Sequence, residues 1–111
     1  MSTATFRVRS QYRLPVQCTV VVSTADLHGA GTLWNLSLDG CRMAGPVCPR
    51  VGTELELLIS LPGRRDAIVV PSAQVAWARG LECGLRWPTL PPMDQRRLQR
   101  FITGHMGGRM S

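Results

Sequence analysis

Glu54-Leu55-Glu56-Leu57-Leu58-Ile59-Ser60-Leu61 is the stretch on which the reading of this chain turns. Leu55, Leu57, Ile59 and Leu61 alternate with Glu54, Glu56, Leu58 and Ser60, and a period of two in an extended strand sends one set to a core and the other to water. Pro62 to Asp66 follows with the Pro-Gly chemistry of a turn. Ala67 to Val70 and Ala73 to Ala78 then make one long strand interrupted at Pro71, whose missing N–H predicts a bulge or bend. Arg79 and Gly80 turn the chain into Leu81 to Trp87. There Leu81, Cys83, Leu85 and Trp87 share a face, and Gly84 leaves room for another backbone to approach.

Upstream of Glu54, the loop from Gly45 to Gly52 holds two prolines and two glycines. Before it, Thr32 to Ser37 and Cys41 to Met43 form a hairpin reversed at Asp39 and Gly40. Val16 to Thr24, rich in valine and threonine, is the first strand, with Cys18, Val20 and Val22 on one face. Downstream, Pro88 to Pro92 ends the strands. Met93 to His105 is a helix with Leu98, Phe101 and Ile102 on one side and Asp94 in its first turn. The fold class is mainly β: a six-stranded antiparallel meander closed into a barrel, which removes exposed strand edges, with a C-terminal α-helix packed on one opening. The expected organisation is a flexible arm over residues 1–13, the barrel and helix over 14–105, and a disordered tail over 106–111.

The length of 111 residues suits one domain with a real core, and 44% hydrophobic against 18% charged residues is ordinary globular composition. The net charge is +6 and all 13 basic residues are arginine. Arginine's planar fork pairs bidentately with phosphate and with the guanine edge, so an anionic partner is indicated; an arginine-favouring genome explains the same bias. Cys18, Cys41, Cys48 and Cys83 form no CxxC pair, and His28 and His105 stand alone. No metal site is expected, and the cysteines read as core filler. With no apolar leader and no stretch of membrane-spanning length, the expected compartment is the cytoplasm, with reduced thiols. Neither histidine has a triad or metal partner and no carboxylates are paired for acid–base work, so the reading is not an enzyme, and no cofactor is expected.

Two polar constellations remain. Arg9 and Arg13 stand four apart just ahead of the first strand, with Arg7 nearby; on spacing alone they are a solvated basic arm, or else a clamp for phosphates or for guanine O6 and N7. Asn35, Ser37 and Gly40 surround the hairpin reversal. Turn chemistry accounts for Gly40, whereas strand alternation puts Asn35 and Ser37 together on the face opposite Trp34, Leu36 and Leu38, a shared polar face that invites a ligand.

Arg9xxxArg13 followed by Asn35xSer37xxGly40 resembles the PilZ domain, whose signature is RxxxR and then Asp or Asn, x, Ser, x, x, Gly. Val75-Ala76-Trp77 and Gly84-Leu85-Arg86-Trp87 resemble that family's later strands, and a terminal helix follows as it does there, so the resemblance runs from about Arg7 to Ile102. It implies a receptor for the bacterial second messenger cyclic di-GMP. Arg9, Arg13, Asn35, Ser37 and Gly40 would hold the ligand, with Arg7 and Trp77 as weaker candidates; Trp77 reads equally well as core packing. The arm would order over the ligand, and a downstream protein partner, not identified by the sequence, would read the change. Many relatives carry a further arginine where this chain has Val8, which implies one bound ligand molecule unless Arg7 substitutes. The competing readings are a basic small barrel binding single-stranded nucleic acid, disfavoured by aromatics at only 5% of the chain, and an adaptor of the same fold that binds protein alone.

Overall fold

The alternation in Glu54–Ser60 becomes a strand in which Leu55, Leu57 and Ile59 are buried and Glu54, Glu56, Leu58 and Ser60 are exposed. A computed structural model of the chain describes residues 13–45 and 48–110. Its strands are β1 (Cys18–Ser23), β2 (His28–Leu36), β3 (Gly40–Ala44), β4 (Glu54–Ser60), β5 (Ile68–Arg79) and β6 (Glu82–Arg86). The helix α1 spans Pro92–Met110, its backbone running on past the expected end at His105. All pairings are antiparallel and the sheet closes as a barrel.

The strand order is β1-β2-β3-β6-β5-β4, which corrects the expected meander. β3 pairs with β6, and β4 returns to pair with β1, Val20 opposite Ile59. The physical reason is loop length: a tight reversal forces its two strands together, as between β2 and β3, but the loop 45–53 is long enough to carry the chain across the barrel.

The core is the alternating inner face of all six strands, including Val20, Val22, Leu33, Met43, Leu57, Ile59, Ile68, Val70, Val75 and Leu85, all essentially inaccessible. Leu98, Phe101 and Ile102, spaced to share one side of α1, are buried with it and stopper the barrel. Each such side chain contributes about 1.5–3 kcal/mol by leaving water. Cys41 and Cys83 are buried and Cys18 and Cys48 half-buried, all four as free thiols. Burial pushes the Cys18 and Cys83 thiols up to about 11 and about 12, as inert core cysteines require. No helix among the described residues is long and apolar enough to cross a membrane.

Three register shifts interrupt the ladders. On β5, Pro71 and Ser72 together oppose the single residue Glu56, the bulge that Pro71 predicted. On β2 the extra residue is Asn35, and on β5 again it is Ala76. These last two position the surface described next.

Candidate functional site

Arg13 is described and exposed; Arg7 and Arg9 lie outside the described residues. Directly after Arg13, Leu14 is bridged to Leu36 at the end of β2, each backbone N–H donating to the other's carbonyl at 2.7 and 2.9 Å. The Leu14 side chain is fully buried. Thus the structure brings Arg13 beside the Asn35–Gly40 segment. The charge of Arg13 is also felt at Cys41, where it opposes the upward push of burial and the neighbouring thiols.

Asn35 has a positive φ of 41° and occupies the bulge between Trp34 and Leu36. Asparagine tolerates this left-handed conformation better than any other side chain that can offer both an amide donor and a carbonyl acceptor. The bulge breaks the strand alternation, so the shared polar face expected for Asn35 and Ser37 does not exist. Trp34 is exposed, Asn35 half-buried, and Leu36 and Ser37 are both buried. Asn35 and Trp34 instead border a shallow hollow with Pro15, Val16 and Gln17.

Ser37 is 1% exposed, and its hydroxyl lies 3.0 Å from Asp39 Oδ1 and 3.1 Å from the Gly40 carbonyl, to either of which it can donate. The Ser37 N–H also donates to the Gly40 carbonyl at 2.9 Å. Below, Trp87 donates from Nε1 to the Leu38 carbonyl at 2.9 Å and from its backbone N–H to the Asp39 carbonyl at 3.0 Å. Ser37 therefore shapes the turn from within. At Gly40 the constraint is steric, because a Cβ there would stand 2.6 Å from the Leu85 carbonyl oxygen on β6. The bare Cα lets β3 and β6 close, and it needs no positive φ to do so.

The registers then place four residues in one row across the outside of the barrel. Trp34 on β2 is opposite Arg42 on β3, Arg42 is opposite Gly84 on β6, and Gly84 is opposite Trp77 on β5. Trp34 is 39% and Trp77 41% exposed, so Trp77 is not core. The bulge at Ala76 turns Trp77 outward after the buried Val75, and its indole lies where a Gly84 side chain would be. Gly84 thus admits a side chain, not the backbone expected from the sequence. Between the indoles, Arg42 is held by Glu82, Nη2 to Oε1 at 2.6 Å. At a strand spacing of about 4.8 Å the row spans about 14 Å. Arg13 and Asn35 border it at the β2 end, and Arg86, opposite Gly40, adds an exposed cation.

Trp34, Arg42 and Glu82 are not singled out by the sequence, because Glu82 and the rest of the row reach the Trp34–Arg42 pair only through the β3–β6 pairing. Trp87, expected on the inner face of its strand, is buried there; its two bonds to the turn follow from the same topology. Among the described residues no group of three His, Cys, Asp or Glu side chains could hold a metal ion.

Comparison with known proteins agrees with this architecture. The family model for the PilZ domain matches residues 7–104. The PilZ domain of CeSA from a cellulose-synthesizing bacterium superposes with a TM-score of 0.66 at 19% identity, covering 86% of this chain and 99% of that one. The Bacillus subtilis inhibitor of motility, MotI (DgrA), superposes with a TM-score of 0.74 at 18% identity over 93% of this chain and 54% of that one, so this chain spans about half of MotI. No curated protein sequence matches the chain.

Proposed function

Because the chain belongs to the PilZ domain family, we propose that it binds cyclic di-GMP on the outer face bounded by Arg13, Asn35 and Trp77. The observation that supports this reading is the Leu14–Leu36 bridge, which puts Arg13 beside the Asn35–Gly40 turn. In this reading Arg13, with Arg9 from the preceding segment, supplies charge-assisted bonds to phosphate oxygens or guanine edges. The Asn35 amide, presented by its bulge, makes the polar contact. Ser37 and Gly40 act indirectly, by holding the turn and closing β3 on β6. Trp34 and Trp77 offer indole faces to the two guanines, and Arg42 lies between them. Arg7 is a further cation of the same segment.

Binding orders the segment ahead of Leu14, and a protein partner reads that change. The role is that of a receptor rather than an enzyme, acting in the cytoplasm. Calorimetric titration with cyclic di-GMP tests the proposal: a binding isotherm is expected, and Arg13→Ala weakens it about tenfold or more, the size of one lost charged contact. A folded protein that gives no heat would refute it.

A second reading gains one observation in its favour. The aromatics are few, but two of the three tryptophans stand outside with arginines beside them, the arrangement on which single-stranded bases stack. A mobility-shift assay with a generic oligonucleotide separates the two. Retention at physiological salt that cyclic di-GMP does not compete would favour nucleic acid.

A further inference from the structure

Trp77 of the site above stands near the end of β5, whereas the turn between β4 and β5 leads into the start of that strand at Ile68, about 30 Å away along an extended chain. Arg97 of α1 ties that turn to the helix. Its Nη1 donates to the Ala67 carbonyl at 3.2 Å and to Asp94 Oδ1 at 3.1 Å, and its Nη2 donates to the Asp66 carbonyl. Most of its donors are used and its charge is met by Asp94. Arg64, on the turn, holds its guanidinium 5.7 Å from the centre of the Phe101 ring. Arg100 follows Arg97 by three positions, on the same side of the helix. Together with Leu61, these three arginines line a cavity of about 270 Å³.

Among the described residues, neither Arg64 nor Arg100 has a carboxylate within 4.0 Å. Two uncompensated guanidiniums facing one cavity repel each other, and a basic face that served only solubility would spread them. Here the Phe101 ring holds one of them in place. We propose that this cavity is a second anion site, taking a compact phosphoryl group from a small molecule, separate from the cyclic di-GMP face.

Charge and shape choose the ligand class. Two unmatched positive charges suit a dianion, and a phosphate monoester carries close to two negative charges at pH 7, whereas a carboxylate carries one. The free forks arrive from two directions, Arg64 from the turn and Arg100 from the helix, a convergence that tetrahedrally arranged oxygens satisfy better than a planar carboxylate. Arg97 is the positioning residue, fixing the turn against the helix, and Arg64 and Arg100 are the contacts. Asp66 and Asp94 border the same place, which weighs against an extended polynucleotide.

The test uses the full chain and inorganic pyrophosphate, with malonate at matched ionic strength as the carboxylate comparison. Amide shifts in a two-dimensional NMR titration should be confined to residues 61–67 and 94–101. Arg100→Gln, which removes a guanidinium with no carboxylate partner among the described residues, should weaken binding about tenfold while leaving the melting temperature nearly unchanged. Arg64→Gln should weaken it similarly. Arg13→Ala should leave the pyrophosphate affinity unchanged. Malonate binding as tightly as pyrophosphate would overturn the phosphoryl assignment. Shifts centred on Arg13 and Asn35, or displacement of pyrophosphate by cyclic di-GMP, would overturn the second site. Because the readout needs no cyclic di-GMP binding, failure of the receptor reading leaves this result interpretable.

Discussion

Gly40→Ala separates two accounts of a motif glycine, one in which it admits a ligand and one in which it admits the neighbouring strand. The added Cβ would lie 2.6 Å from the Leu85 carbonyl oxygen. That is about 0.8 Å inside ordinary contact, and the obstacle is backbone paired in register, Gly40 opposite Arg86, so relief requires β3 and β6 to part. Overpacking of this kind costs about 1–3 kcal/mol. Removing glycine's excess freedom in the unfolded chain returns about 0.5–1 kcal/mol. At mid-range values the expected balance is a loss of about 1.3 kcal/mol, or a melting temperature lower by about 5–6 °C for a domain of this size. Gly104→Ala is the matched control, since nothing lies within 4 Å of its added Cβ on the exposed helix; it should raise stability by about 0.5–1 kcal/mol. Both are measured by thermal and urea melts without nucleotide. If Gly40→Ala melts with the parent protein and loses only cyclic di-GMP affinity, the steric reasoning is wrong and the glycine serves the ligand.

Phe101→Ala should cost about 3–5 kcal/mol in urea melts, because a fully buried ring is removed from the barrel stopper. Trp77→Ala should weaken cyclic di-GMP in calorimetry with little loss of stability, and ligand should change the fluorescence of Trp34 and Trp77 but not of buried Trp87. The buried thiols make stability fall at alkaline pH. Their folded values are raised above the ordinary 9.0, so the unfolded chain loses protons first; the contribution is complete below about pH 9 and is lost as pH rises toward about 12. At pH 10 this amounts to roughly 1 kcal/mol for each such thiol, and urea midpoints at pH 8 and pH 10 under reductant should differ accordingly. Native Cys41 and Cys83 should resist a thiol reagent at pH 7.5 and react on unfolding; rapid native labelling would contradict their burial.

The strands were legible where burial imposes one unbroken period. Glu54–Ser60 shows it residue by residue, and Leu98, Phe101 and Ile102 announce the packed side of the helix in the same way. Legibility ends where a single extra residue changes the period. At Asn35 the bulge sends Leu36 and Ser37 inward together, and at Ala76 it turns Trp77 out, so alternation misplaced Ser37 and left Trp77 between two readings. The neighbour of each strand was legible for the tight β2–β3 reversal and not across the loop 45–53, because pairing at long range depends on how the whole barrel closes. The exposed row of Trp34, Arg42 and Trp77 was invisible for that reason. Arg13 needed the Leu14 bridge to gain a position. Gly40 was marked as special by its motif, but the obstacle that makes it special lies 45 positions away, at Leu85.

The Leu14–Leu36 bridge also sets a tether length. Arg9 is four residues from Arg13, and four extended residues reach at most about 14 Å, so its Cα is confined to a sphere of that radius wherever the segment turns. One guanidinium in such a volume corresponds to an effective concentration on the order of 0.1 M at the barrel surface. The sphere is centred at the β2 end of the row, so a ligand seated there beside Trp34 is within range of a second arginine already held at high local concentration. Closing onto it is then an intramolecular event, and lengthening the segment between Arg9 and Leu14 with glycine and serine should weaken binding through dilution alone, with every contacting side chain left in place.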